Sequence, residues 1–244
     1  MNLEMIAHRG FSAIAPENTL VAFEAAVRRG ANSVEFDVQI TADGIPVIFH
    51  DETLDRITGT SGTVREKTLA ELKQLDAGAR FAERYAGATI PTLEETLAGL
   101  KDIGGHLYFD LKPHAEWSEG ELETLLEMVE AAKLGDRAIL TSFNEELLTR
   151  CRQRSPQIQI GYFMLTNDDF SRQLEKATAA GNAILSSEYH VILERPGLAE
   201  ISRSQGVDVV VWTVDDRDDF RRLAAAGIGR IVTNSLIGSD IIGN

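Results

Sequence analysis

Short apolar runs rich in Val, Ile and Leu recur along the chain, separated by longer stretches in which apolar residues return every three or four positions. The first pattern predicts strands and the second predicts helices. Strands are expected at 3–8, 33–39, 106–112, 138–142, 159–164, 183–187, 208–213 and 230–233. A helix is expected at 19–29, where Leu20, Phe23 and Val27 share one face, with Asn18 as its N-cap and Gly30 as its stop. Further helices are expected at 121–133, 144–154, 168–180 and 216–226. Alternating strand and helix implies a parallel sheet with crossover connections. Eight such units in 244 residues, close to the ~250 of one barrel, predict an α/β fold of the closed (β/α)8 TIM-barrel type.

One connection is too short for a crossover helix. Only seven residues, Ile40 to Pro46, separate the second strand from the apolar run that starts at Val47. Asp43-Gly44 between apolar runs is a hairpin signal, so 47–50 is expected to return antiparallel to the second strand. A symmetric turn brings His50 opposite Phe36 or Asp37. The next forty or so residues, 51–90, have no place in the barrel pattern. They hold a Thr/Ser/Gly-rich loop and a short helical stretch at 69–75, and insertions of this kind cap the active face of barrels. The expectation is one domain over 1–244 with an insertion at about 52–90.

The formal net charge of −14 argues against a basic face for nucleic acid or anionic lipid, so any anionic substrate must meet local positive charge. Cys151 is the single cysteine, which excludes an intramolecular disulfide and favours a reducing compartment. It sits in a helical pattern and reads as a small buried hydrophobe. No leader pattern precedes the first strand and no apolar run approaches the ~20 residues of a membrane span. The expected location is cytoplasmic, without stable membrane association, and homo-oligomerisation is left open.

In a (β/α)8 barrel the functional groups stand at the C-terminal ends of strands. Glu35 and Asp37 are two apart on a strand, so they share the inward face while Phe36 points toward the helices. Two inward carboxylates stay ionised only beside positive charge. Either a divalent cation with oxygen ligands or an Arg or Lys from another strand would supply it. Asp110 and Lys112 repeat the spacing on the third strand, as one further metal ligand and one cation for a phosphate. His8 and His50 are candidates for a proton-transfer pair, since imidazole titrates near neutral pH; each alone is more often a hydrogen-bonded structural residue, and their placement together beside the carboxylates favours the pair. Asp51 either orients His50 or caps a turn. Arg9 either forks onto a phosphate or pairs with Glu17 or Glu35. Trp212 either walls the pocket or fills the barrel core. His106 falls at a strand start on the stability face, His114 on the rim, and His190 in a loop.

The chain resembles the glycerophosphodiester phosphodiesterases. The matching segments are His8-Arg9-Gly10, Pro16-Glu17-Asn18-Thr19, Glu35-Phe36-Asp37-Val38-Gln39, Asp43-Gly44-Ile45-Pro46-Val47 and His50-Asp51. Others follow in order: Leu54-Asp55-Arg56, Thr60-Ser61-Gly62, Glu71-Leu72-Lys73, Ile90-Pro91-Thr92-Leu93-Glu94 and Val211-Trp212-Thr213-Val214. The resemblance implies a barrel with a small inserted subdomain and one divalent cation, Mg2+ or Ca2+, on Glu35, Asp37 and Asp110. It implies His8 and His50 as general base and general acid, and Arg9 and Lys112 as phosphate ligands. The implied substrates are small glycerophosphodiesters such as glycerophosphocholine and glycerophosphoethanolamine, cleaved to sn-glycerol 3-phosphate and an alcohol. The nucleophile is either water or the substrate's own 2-hydroxyl. Two departures stand out. The family usually has Glu at Asp110, whose reach is shorter by about 1.5 Å, so a bridging water or a displaced ion is expected. The family also often has Asp where this chain has Asn234. Two other readings follow: a relative that cleaves lysophospholipid or phosphoinositol, and a metal-weakened barrel that only binds glycerophosphodiesters.

Overall fold

In the computed structural model, residues 3–237 are described, and the expected domain span of 1–244 runs past them at both ends. The chain begins with β1 (Glu4–His8), α1 (Leu20–Arg28), β2 (Ser33–Ile40) and β3 (Pro46–Ile48). Two single-turn helices, α2 (Asp55–Thr58) and α3 (Leu69–Leu72), lie in the insertion. Then follow α4 (Leu93–Gly99), β4 (Leu107–Leu111), α5 (Glu119–Ala131), β5 (Ala138–Thr141), α6 (Glu145–Arg154), β6 (Gln159–Met164) and α7 (Phe170–Ala180). The last elements are β7 (Ala183–Glu188), α8 (Tyr189–Glu194), α9 (Gly197–Ser204), β8 (Asp208–Trp212), α10 (Arg217–Ala225) and β9 (Arg230–Thr233). Polar caps start several helices: Thr19, Thr92, Ser118, Asn144 and Asp216 each accept a backbone N–H of the first turn.

The sheet closes because β1 pairs in parallel with both β2 and β9. The eight parallel strands form the barrel, and β3 adds to β2 as the antiparallel exception, with Val38 opposite Ile48 and Ile40 opposite Pro46. Gly44 takes φ 78° at the hairpin tip, a conformation that suits glycine. The crossover from β2 to β4 is supplied by α4 after the whole insertion. It was not among the expected helices, and its seven residues explain why the periodicity was weak. The same holds for α8 and α9, short helices separated at Pro196.

Period-two alternation divides the apolar residues into two layers. Ile6, Tyr108, Ile139, Ile184, Val210 and Val232 point inward and fill the barrel. Their neighbours point outward under the helices: Phe36 packs edge-on against Phe109 at 4.7 Å and against Phe23 of α1 at 6.0 Å. The insertion has a core of its own around Phe49, Leu54, Val64, Leu72 and Ile90.

Candidate active site

Strand register assembles the site. His8 at the end of β1 lies beside Glu35, Glu35 beside Tyr108, and Asp37 beside Asp110. Residues two apart share a face, so three carboxylates and His8 meet at the C-terminal mouth of the barrel. Phe49 N–H donates to the Asp37 carbonyl at 3.0 Å, which continues the hairpin register and brings His50 level with Phe36, as the symmetric turn predicts. His8, Arg9, Glu35, Asp37, His50, Asp110, Lys112 and Trp212, all predicted from the sequence, line one cavity of about 280 Å³.

The loop after β1 is bent for this purpose. Arg9 and Gly10 take φ 53° and 81°. A Cβ on Gly10 would stand 2.7 Å from the Ala22 backbone, so only glycine lets the loop approach α1. Arg9 N–H donates to Glu35 Oε2 at 3.0 Å, and its guanidinium reaches Glu17 at 2.7 Å and Asp37 at 3.3 Å. The ion-pair reading of Arg9 holds for Glu17, and its guanidinium also faces the carboxylate cluster through Asp37. Asn18 is not the N-cap of α1; Thr19 is. Asn18 takes φ 56°, and its Nδ2 donates to Asp37 Oδ2 at 2.7 Å. The Asn18 Oδ1 that could cap the helix accepts the Asp37 backbone N–H at 3.4 Å instead, so Asp37 holds both ends of the side chain.

Lys112 Nζ bridges Asp37 and Asp110 at 2.6 Å each. Burial alone would lower the Lys112 ammonium, but these two charges outweigh it and raise it. Burial would raise Asp37, yet Lys112 and Arg9 hold it well below the usual carboxylate range. Glu35 and Asp110 are raised, Glu35 by burial and then by the Asp37 charge, Asp110 mainly by burial. Two cations against three close carboxylates leave the cluster short of positive charge, and Arg9 is shared with Glu17. The ligand oxygens of Glu35, Asp37 and Asp110 lie within 4.8 Å of one another, and Asp110 Oδ1 is buried with no hydrogen-bond partner among the described residues. An orphaned inward oxygen and an all-oxygen donor set fit a hard divalent cation. Asp110 joins the cluster despite its short side chain.

The histidines differ. His8 Nδ1 lies 2.6 Å from Asn234 Oδ1, and its Nε2 lies 3.9 Å from Glu35. Burial first, and the Arg9 charge second, push the His8 ring down to about 4, so it is neutral at pH 7. His50 Nδ1 lies 2.7 Å from Asp51 Oδ1. Asp51 therefore orients His50, and is itself held at about 2, first by hydrogen bonds from Arg56. Arg56 in α2 contacts Asp51 at 2.6 Å and Glu17 at 2.8 Å. The insertion thus braces both His50 and the Arg9 partner.

Trp212 stands at the wall of the cavity, with Phe163 edge-on at 5.7 Å and Phe143 stacked on Phe163 at 4.1 Å. The two phenylalanines were not expected there; Phe143 sits just past the end of β5, where a strand-end reading would find it. Thr141 and Ser186 also line the wall. Away from the site, His106 lies at the opposite end of the barrel against Glu4, as its strand-start position predicts. His114 lies on the turn after Lys112, half-buried. His190 is helical, in α8, rather than in a loop, and Cys151 is buried in α6. Among the described residues no helix is long and apolar enough to cross a membrane.

The profile of the glycerophosphoryl diester phosphodiesterase family matches residues 8–237. A glycerophosphodiester phosphodiesterase of Caldanaerobacter subterraneus subsp. tengcongensis is 36% identical over 234 residues, 96% of this chain and 95% of that protein. A phosphodiesterase of Oleispira antarctica, solved in complex with the product sn-glycerol-3-phosphate, superposes with a TM-score of 0.88 at 31% identity, over 98% of this chain and 95% of the other. A glycerophosphodiester phosphodiesterase of Agrobacterium tumefaciens superposes with a TM-score of 0.83 at 29% identity, over 96% of each chain. With a family profile spanning the barrel from His8 onward and relatives aligned over nearly their whole length, this chain belongs to the glycerophosphoryl diester phosphodiesterase family.

Proposed function

We propose that this protein hydrolyses small glycerophosphodiesters, glycerophosphocholine and glycerophosphoethanolamine among them, to sn-glycerol 3-phosphate and an alcohol. The observation that carries the reading is the cavity in which two differently held histidines flank three carboxylates and the cationic side chains of Arg9 and Lys112. The product held by the Oleispira relative has the same chemistry. Glu35, Asp37 and Asp110 would hold Mg2+ or Ca2+, which supplies positive charge against the phosphate oxygens.

The chain's own residues divide the remaining work. Arg9 and Lys112 bind phosphate oxygens; Lys112 has three donors and uses two on carboxylates. His8, neutral at pH 7, accepts at Nε2 the proton of the attacking group, which is water or the substrate's own 2-hydroxyl; in the second case water then opens the cyclic phosphate to glycerol 3-phosphate. His50, whose Nδ1–H is held by the Asp51 carboxylate, acts with both ring nitrogens protonated and gives the Nε2 proton to the leaving alkoxide. Trp212, Phe163 and Phe143 cover the carbon skeleton and exclude water. Residues 52–90 form the insertion that closes one side of the site, within a single domain. The lone reduced cysteine supports a cytoplasmic setting.

The test is glycerol 3-phosphate release from glycerophosphocholine by protein stripped with EDTA and refilled with Mg2+ or Ca2+. Release is expected only with metal, and His8→Ala and His50→Ala are each expected to lower kcat by about 10²- to 10⁴-fold. Metal-independent release, or near-normal turnover by His50→Ala, would overturn the mechanism. Release from lysophospholipid micelles but not from glycerophosphocholine would move the substrate to the lipid class.

A further inference from the structure

We infer that Asn234 and Asp215 form a two-residue device that fixes the proton on His8 Nδ1 and keeps Nε2 open toward the substrate, so that Asn234 is a positioning residue whose carbonyl depends on the carboxylate behind it. The inference rests on the reading of His8 as the base.

Donor and acceptor chemistry determines each orientation in turn. Asp215 Oδ1 accepts Thr233 Oγ1 at 2.9 Å, Asn234 N–H at 2.9 Å, Ser235 N–H at 3.2 Å and Ser235 Oγ at 3.1 Å. Its other oxygen, Oδ2, lies 2.6 Å from the Asn234 side chain. A carboxylate only accepts, so the group of Asn234 that meets it must be the Nδ2 amide. The carbonyl Oδ1 must then be the group that faces His8 at 2.6 Å. A carbonyl only accepts, so His8 Nδ1 must be the donor, and in a neutral ring Nε2 carries the lone pair. Ser12 Oγ donates to the same carbonyl at 2.8 Å and fixes it from a third side. The tautomer of His8 follows from two contacts in series, Asp215 to Asn234 and Asn234 to His8, with Ser12 holding the carbonyl between them.

The arrangement also accounts for an amide rather than a carboxylate at position 234 of this chain. An aspartate at position 234 of this chain would set two carboxylates face to face at the 2.6 Å contact, with no donor between them. The pair tolerates that change only if position 215 becomes the amide. In the exchanged pair, the amide at position 215 would keep its carbonyl on the surrounding donors and present its nitrogen to the carboxylate at position 234.

Two measurements test this. The first is the 15N spectrum of the His8 imidazole in metal-free wild-type protein at pH 7, assigned with His8→Gln. Nδ1 is expected at a protonated shift and Nε2 at an unprotonated one; the opposite tautomer would overturn the inference whatever the protein hydrolyses. The second is a mutant cycle on glycerophosphocholine. Asn234→Asp is expected to lower kcat about 10- to 100-fold with little change in KM. The exchange Asn234→Asp with Asp215→Asn is expected to restore most of that loss and the wild-type tautomer. Failure of the exchange to restore either one would show that the two residues do not act as a pair. A wild-type protein without glycerophosphodiester turnover but with the expected tautomer would strike the proposed function and leave the device standing.

Discussion

The two ends of the barrel hold the same kinds of residue and use them oppositely. At the N-terminal end, Glu4 meets His106, Ser33, Tyr108 and Arg230; at the C-terminal end, Glu35, Asp37 and Asp110 meet His8, Arg9 and Lys112. Glu4 is saturated: one oxygen accepts Ser33 Oγ at 2.5 Å, His106 Nδ1 at 2.9 Å and Tyr108 OH at 3.2 Å, and the other lies 3.2 Å from Arg230. Its carboxyl is lowered: burial opposes this, but the bonds from His106 and Ser33 prevail. At the other end Asp110 keeps a buried oxygen without a partner among the described residues, and two of the three carboxylates are raised. A buried carboxylate with both oxygens met, as Glu4 has, is a structural joint, even though Arg230 Nη1 beside it is buried without a partner among the described residues. A cluster that lacks charge and keeps an open oxygen is built to take something in.

The largest expected effect tests that contrast directly. Asp37→Asn removes the carboxylate that Lys112, Arg9 and Asn18 all share. Glycerol 3-phosphate release is expected to fall on the order of 10³-fold, because both cations lose their anchor beside the phosphate. Calorimetric titration of Mg2+ or Ca2+ should lose its binding heat in the same variant. Wild-type turnover by Asp37→Asn would mean that the carboxylates of the C-terminal end are as structural as Glu4.

The parts of this site that were legible in the sequence are those set by local geometry. Period two along β2 and β4 places Glu35, Asp37, Asp110 and Lys112 on the inner face, and strand ends mark His8 and Trp212. The hairpin at Asp43-Gly44 carries His50 back to the same rim. What was not legible depends on closure. Asn234 reaches His8 across 226 residues only because β9 pairs with β1. Asn18 and Thr19 are both good cap residues, and a buried carboxylate on another strand decides between them. The helices of α4, α8 and α9 are too short for periodicity to separate them from loops. Phe143 and Phe163 stack across neighbouring strands, a pairing with no sequence spacing of its own.

A smaller effect is expected where the insertion touches the open end. Arg56 holds Asp51 and Glu17 from α2, and through them steadies His50 and Arg9. Its own side chain is half-exposed, so its contribution lies in orientation rather than in stability. Arg56→Ala should lower kcat about ten-fold while the melting temperature barely moves. Arg56→Lys keeps the charge but not the fork that contacts both carboxylates, and should recover little. Full activity in Arg56→Ala would detach the insertion from the chemistry and leave it as a lid alone.

The smallest effect on activity is expected at the saturated end. Glu4→Gln keeps the shape and removes the charge that Arg230 and His106 share, which should cost about 1–3 kcal/mol of stability. For a chain of this size that lowers Tm by roughly 2–4 °C per kcal/mol. Turnover should stay at the wild-type level, since Glu4 lies at the far end from the cavity. The pH dependence has a definite sign. The folded carboxyl of Glu4 lies below its ordinary value of 4.5, so its contribution is fully present above that pH and is lost as pH falls through the folded value. Gln does not titrate. The stability gap between wild type and Glu4→Gln should therefore be widest near neutral pH and close on acidification, as read by denaturant melts across pH. A gap that stayed constant into acid would mean that Glu4 acts through packing rather than charge, and the two ends of the barrel would then differ in more than how fully their carboxylates are satisfied.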